Sequence, residues 1–252
     1  MENQNQSSGI QSLLIQLGDN SMILGHRLSE LCGHGPSLET DIALTNISLD
    51  LFGQVRNYFQ YAAKLRNDGT TEDDIAFLRY EREYRNALLV EQPNKDFAYV
   101  IVRQFLFDSF HLPLLEELVN HPDSQIKAIA EKSIKEVRYH LRFSSSWMIR
   151  LGDGTEESRK RIQSALLYLS AYTDELTASV DPYLLEVGLG GADTVKRKQM
   201  AHIKSTLDEA NLELPDVIQQ MPTGSKGIHS EHFGYILSDL QFMQRNYPKM
   251  TW

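Results

Sequence analysis

One stretch of this chain, Phe97-Ala-Tyr-Val-Ile-Val-Arg-Gln-Phe-Leu-Phe-Asp-Ser-Phe-His-Leu-Pro-Leu-Leu, narrows the folds open to it more than any other. At about 100° per residue, Phe97, Ile101, Phe105, Leu112 and Leu115 share one helical face. Asp108 lies in their midst, and His111 sits one turn along at the edge. A carboxylate buried in this way must be paired, protonated or bound to a metal, because isolated burial of its charge is costly. An acid followed three residues later by His on an inward helix face is also half of the ligand motif of carboxylate-bridged di-iron bundles. Whether that site is complete depends on the other helices.

Helical periodicity dominates elsewhere, and no run alternates in the manner of a strand. A first helical pair is expected over about Ile10–Gly33, broken and re-capped at Gly18-Asp-Asn-Ser. A long helix follows from about Leu38 to Asn67. Thr70-Thr71-Glu-Asp-Asp reads as a capped start leading into a shorter helix through Ala87. The Asp108 helix covers about Lys95–Asn120, with Pro113 able to kink it. Further helices are expected over about Ser124–Leu151 and Glu156–Ser179, with Gly152 ending the first and Thr155 capping the second. Residues 181–228 are irregular and partly helical, with one helix over about Asp193–Ala210. A last helix, capped near Ser230, runs to about Asn246. The first nine residues read as disordered, and the whole of 1–252 as a single domain.

The Leu38–Asn67 segment is apolar on two faces. Ile42, Leu49, Phe52, Phe59 and Ala63 line one side, and Leu44, Leu51, Val55, Tyr58 and Ala62 the other, leaving a narrow polar strip of Asn46, Asp50, Gln54 and Asn57. Such a helix lies between neighbours, either in the middle of its own domain or with one face against another chain.

A full di-metal bundle site needs a Glu from each of two helices and Glu-x-x-His from each of the other two. The Leu38–Asn67 helix offers only Asp50. The next long helix offers Asp108 and His111. Ser124–Leu151 brings His140 close to its apolar stripe and Glu136 to the edge. Glu156–Ser179 holds no histidine, so a second metal would lack its imidazole. With Arg56, Arg103 and Arg138 nearby in sequence, the five residues Asp50, Asp108, His111, Glu136 and His140 read first as buried polar pairs. A vestigial or mononuclear site and a working metal site are the alternatives. His229-Ser-Glu-His232 has chelating spacing but reads as the capped start of the last helix.

Composition excludes several other roles. The chain of 252 residues has a net charge of −9 and no basic run longer than Lys196-Arg-Lys, which argues against nucleic acid. Its longest apolar run falls well short of the roughly 20 residues that a membrane span needs. The polar N-terminus lacks the regions of a signal peptide, so a cytoplasmic location is expected. The lone Cys32 rules out an internal disulfide and reads as a small core filler rather than a nucleophile.

Three groups of residues resemble a known family. Leu89-Val-Glu-Gln-Pro-Asn-Lys-Asp-Phe-Ala-Tyr with Val102-Arg-Gln-Phe-Leu-Phe-Asp-Ser-Phe-His is the first. The second joins Lys135-Glu-Val-Arg-Tyr-His-Leu-Arg-Phe to Trp147-Met-Ile-Arg-Leu-Gly-Asp-Gly-Thr-Glu-Glu-Ser. The third is Gly227-Ile-His-Ser-Glu-His-Phe-Gly-Tyr-Ile-Leu, with Gln241-Phe-Met-Gln-Arg-Asn-Tyr-Pro and a terminal Trp252. From about Ile42 onward the chain resembles the C subunits of bacterial phenylacetyl-CoA epoxidases, the monooxygenases of aerobic phenylacetate degradation. That resemblance implies an all-α, ferritin-like bundle of four long core helices plus satellite helices. It implies a non-catalytic structural subunit, without a cofactor of its own, paired with a homologous catalytic A subunit that carries the di-iron centre and binds the CoA thioester. Other members of the complex, including a flavin and iron–sulfur reductase, are implied as partners, and a homodimer is a possibility when the chain is isolated. Two rival readings stay open: a di-metal protein active alone, with the five residues above as ligands, and a helical scaffold without redox role.

Overall fold

In the computed structural model, which describes residues 2–248 and 250, the chain forms α1 (Glu2–Ser29), α2 (Leu38–Arg66), α3 (Glu72–Phe77), α4 (Phe97–Leu118), α5 (Ser124–Gly152), α6 (Glu156–Leu169), α7 (Asp174–Ala178), α8 (Asp181–Glu186), α9 (Gly191–Glu209) and α10 (Phe233–Asn246). Short 3-10 turns lie at Glu81–Glu83, Ser170–Tyr172 and Gly224–Lys226. No strand occurs among the described residues. Several helices start where a short polar side chain takes up free backbone N–H groups. Asp96 Oδ1 accepts from Tyr99 N at 3.0 Å ahead of α4. Asp123 Oδ1 accepts from Gln125 N and Ile126 N at 2.8 and 3.1 Å ahead of α5. Thr155 Oγ1 accepts from Ser158 N at 3.1 Å ahead of α6, and Thr71 with Asp74 closes a capping box on α3.

The chain divides into two compact units, one of Met1–Cys32, Ile42–Pro93 and Thr223–Trp252, the other of Gly33–Asp41 and Asn94–Pro222. The second unit is built on α4, of which 17 of 22 residues are buried. A helix covered on nearly all sides must be a core element, and α5, α6 and α9 pack around it. Because tertiary packing holds it from every side, α4 continues through Pro113, although the ring removes one ladder hydrogen bond.

The first unit gathers α1, the buried side of α2, α3 and α10. Here the structure departs from the sequence reading, since α1 is one unbroken helix that begins at Glu2, inside the stretch expected to be disordered. Gly18 does not break it. A Cβ there would lie 2.2 Å from Phe59 Cε1, so glycine is present to let α2 approach. Asp19 and Asn20, which read as a new cap, turn inward instead. Asp19 pairs with Arg79 and accepts from Arg85 N at 2.8 Å, while Asn20 Oδ1 accepts from Ala87 N at 2.7 Å. Those two backbone donors are held by α1 side chains, so residues 84–87 cannot continue a helix, and α3 ends at Phe77 rather than Ala87.

A similar substitution splits the helix expected over Glu156–Ser179. The Gln219 carboxamide donates to Ser170 O at 3.0 Å and accepts from Asp174 N at 3.3 Å. It thereby replaces the hydrogen bond those two groups would make in a continuous α-helix, and Gln220 N takes Ala171 O at 2.7 Å. The region 181–228 is partly helical as expected, with α8 and α9 in it. At the last helix, Ser230 N is drawn to Glu91 Oε1 at 3.0 Å, and α10 starts only at Phe233. Cys32 is exposed, not a core filler.

Candidate functional site

In the second unit, α4 and α5 face each other with polar groups between them. Asp108, His111 and His140 are 0%, 1% and 0% exposed. Gln104 Nε2, one turn before Asp108, donates to Asp108 Oδ1 at 2.7 Å, and Ser144 Oγ on α5 donates to Oδ2 at 3.0 Å. Burial raises the Asp108 pKa to about 7, although the charge of His140 and these two hydrogen bonds pull it down. Burial, aided by the charge of His140, lowers the pKa of His111 to about 3, so its imidazole is neutral at pH 7. The cluster is sealed from solvent.

The arginines expected to pair with Asp108 lie elsewhere. Arg56 and Arg138 are exposed, and buried Arg103 donates to Asn94 Oδ1 at 2.6 Å. Glu136 is half-buried on the flank of α5, because at about 100° per residue it lies well off the line of Ser133, His140 and Ser144. Asp50 is half-buried on α2 and belongs to the first unit, whereas the other four residues belong to the second. Gln104 Oε1 and His111 Nδ1 have no hydrogen-bond partner in the structure. Even so, no group of three His, Cys, Asp or Glu side chains among the described residues is placed to hold a metal ion. The donors present do not fit a di-metal centre.

Sequence reasoning missed a second buried polar cluster, in the first unit. Glu91 and the His229 side chain are both fully buried, with His229 Nδ1 3.4 Å from Glu91 Oε2 and its ring stacked on Phe233 at 4.1 Å. Arg27 donates to Glu91 O at 2.7 and 3.2 Å. His229 thus lies against Glu91 and Phe233, while Glu91 Oε2 and both ring nitrogens of His229 are buried without a hydrogen bond. The signal was available: Glu91 ends the apolar run Ala87-Leu-Leu-Val, as telling a place for an acid as that of Asp108. His121 is also structural, since Nδ1 accepts from Asp123 N at 2.9 Å and Nε2 is 2.6 Å from Tyr183 Oη.

The two faces of α2 have different fates. Leu44, Ile47, Leu51, Tyr58 and Ala62 are at most 2% exposed. On the other side Phe59 is buried beneath Gly18, but Ile42 is 50% and Leu49 60% exposed, with Phe52 half-buried beside them. Phe52 also walls a groove of about 520 Å³ floored by Met22, Val55, Phe59 and Phe77. His26 meets Phe52 edge-on at 4.9 Å, and burial lowers its pKa to about 4. The groove also takes in Arg56, Glu72 and Asp73, so the exposed stripe leads into a mixed apolar and polar recess, and a contiguous exposed apolar patch is a feature of interaction surfaces.

Residues 1–252 match the family model described as "Phenylacetic acid catabolic protein". The chain is 44% identical over 241 residues to the C subunit of the 1,2-phenylacetyl-CoA epoxidase of Escherichia coli (strain K12), covering 94% of this chain and 97% of that protein. Among solved structures it resembles a protein from Synechococcus described as having aldehyde deformylating oxidase activity. The TM-score is 0.55 at 12% identity, over 82% of this chain and 88% of that one. The structural likeness concerns the fold alone and agrees with the all-α, ferritin-like class that the family resemblance implies. No helix among the described residues is long and apolar enough to cross a membrane.

Proposed function

The chain belongs to the phenylacetic acid catabolic protein family, and from that premise we propose that it is the structural, non-catalytic subunit of a multicomponent oxygenase that epoxidises the aromatic ring of phenylacetyl-CoA. The observation that carries this reading is the identity of 44% to an epoxidase C subunit over nearly the full length of both proteins. Its main partner is a homologous catalytic subunit that holds the di-iron centre and the CoA thioester. A separate flavin and iron–sulfur reductase supplies the electrons, and the assembly works in the cytoplasm.

Two features support the division of labour. The donors around Asp108 do not converge as metal ligands, and the cluster is closed to a substrate of any size. The exposed stripe of Ile42, Leu49 and Phe52 supplies an apolar surface for a sister subunit, as the core of an obligate interface requires.

Co-expression with the homologous catalytic chain tests the proposal. The expected result is a complex that stays together through gel filtration and, with the reductase, consumes oxygen on addition of phenylacetyl-CoA. A chain that remains apart from the catalytic subunit, or that consumes oxygen with this substrate on its own, overturns it.

A further inference from the structure

The outer face of α5 has a charge at odds with the rest of the chain. From Lys132 to Arg150 it carries Lys132, Lys135, Arg138, Arg142 and Arg150 against Glu136 alone, in a protein of net charge −9. Some exposed basic residues elsewhere pair within the fold: Arg161 with Glu157, Lys196 with Asp174, and Lys198 with Glu116 and Glu117. Arg142 and Arg150 meet no carboxylate among the described residues and lie over aromatic rings instead. Arg142 is 5.7 Å from the centre of Tyr139 and Arg150 is 5.1 Å from that of Trp147. A guanidinium that lies against an aromatic ring can still offer its N–H groups to a carboxylate.

Between the two arginines lies an open recess of about 300 Å³, walled by Tyr139, Phe143 and Trp147 on α5, with Glu39 opposite. Trp147 is fixed there by an edge-on contact with Phe97 at 4.9 Å. From Lys135 to Arg150 the face is about 22 Å long at the helical rise, far longer than a small anion. Arg, Tyr and Trp around a shallow apolar recess is the composition of interaction hot spots. We propose that this face of α5 docks an acidic helix of another protein chain. Carboxylates of that helix pair with Arg142 and Arg150, and one apolar side chain enters the recess. Glu39 repels acid on the far wall and so fixes the side to which the carboxylates must point. The α5 face belongs to the second unit, and its occupant is inferred from charge and shape rather than from the identity of the sister subunit.

Trp147 and Trp252 are the two tryptophans of the chain, so Trp252→Phe makes Trp147 the reporter. The probe is a synthetic 16-residue helical peptide with glutamates four apart along one face and one phenylalanine at its middle. Titrated into the full-length protein, it should change the Trp147 emission saturably, and the affinity should fall about ten-fold between roughly 50 and 300 mM NaCl. Arg142→Glu with Arg150→Glu should abolish binding. Arg142→Lys with Arg150→Lys, which keeps the charge and loses the fork, should weaken it several-fold, and Glu39→Gln should tighten it. Circular dichroism shows whether each variant is folded. The proposal is overturned if there is no saturable binding, if a peptide with Gln in place of Glu binds equally well, or if the folded Lys variants bind as the parent does. It is also overturned if, at ionic strength matched with NaCl, inorganic phosphate or anionic phosphatidylglycerol vesicles displace the peptide, because the face would then serve a small anion or a membrane.

Discussion

Asp108 accepts from Gln104 and Ser144, and burial lifts its pKa to about 7 against the pull of His140. A carboxyl whose folded-state pKa lies above its unfolded value favours folding fully below about pH 4, and that contribution is lost as the pH rises through about 7. His111 and His26, lowered by burial to about 3 and about 4, act in the opposite sense. Their contribution is present above about 6.5 and is lost as the pH falls through those values. Asp108→Asn removes the first effect and leaves the histidines. Its melting temperature relative to the parent should therefore rise from about pH 4 to about pH 7 and level off above it, and a difference independent of pH would contradict this. Asp108→Ala strands two buried donors and opens a cavity. It should cost about 2–4 kcal/mol in urea unfolding and lower complex yield, with normal turnover in whatever complex assembles. The burial of Asp108, His111 and His140 was legible in the sequence because helical period alone puts them inward. Their partners were not, because Ser144 comes from a neighbouring helix and looks like any serine.

At the scale of elements, the cues that worked were local. Thr155 and the Thr71–Asp74 box cap the helices that follow them, because a cap satisfies N–H groups two or three residues away. The cues that failed were those whose meaning lies across the fold. Gly18-Asp-Asn-Ser has the composition of a break, yet each of its first three residues answers to a distant group: Phe59, Arg79 with Arg85, and Ala87. Gln219 divides a helix about 45 residues upstream, with no local breaker to mark the spot. Gly18→Ala separates the two kinds of reasoning. Helix propensity alone favours alanine by about 1 kcal/mol, but the added methyl meets the buried Phe59 ring. The expected net result is a loss of about 1–3 kcal/mol, partly recovered by Phe59→Leu. A gain in thermal stability from Gly18→Ala would show that the ring yields without cost.

For the whole molecule, α2 offered the most useful long-range cue. Two apolar faces on one helix require two sets of neighbours, and the structure supplies only part of the second, leaving Ile42 and Leu49 half-exposed or more. Leu49→Glu should leave the unfolding midpoint of the isolated chain within about 0.5 kcal/mol of the parent, as for an ordinary surface change, and should prevent co-purification with the catalytic subunit. Unimpaired assembly would move the interface elsewhere. The burial of Asp108, His111 and His140 at a helix–helix seam was likewise legible, since helical period sets which face of each helix they share. The separate placement of Asp50 was not, because no period within one helix tells which unit its face joins.

The central claim is that this chain supports an oxygenase without holding its metal. Iron content, measured on the purified chain alone and on its complex with the catalytic subunit, tests it most directly. The expected result is no bound iron in the chain alone and about two irons per heterodimer in the complex, as a di-iron site on the partner requires. About two irons per chain in the isolated protein, retained through gel filtration, would contradict the account.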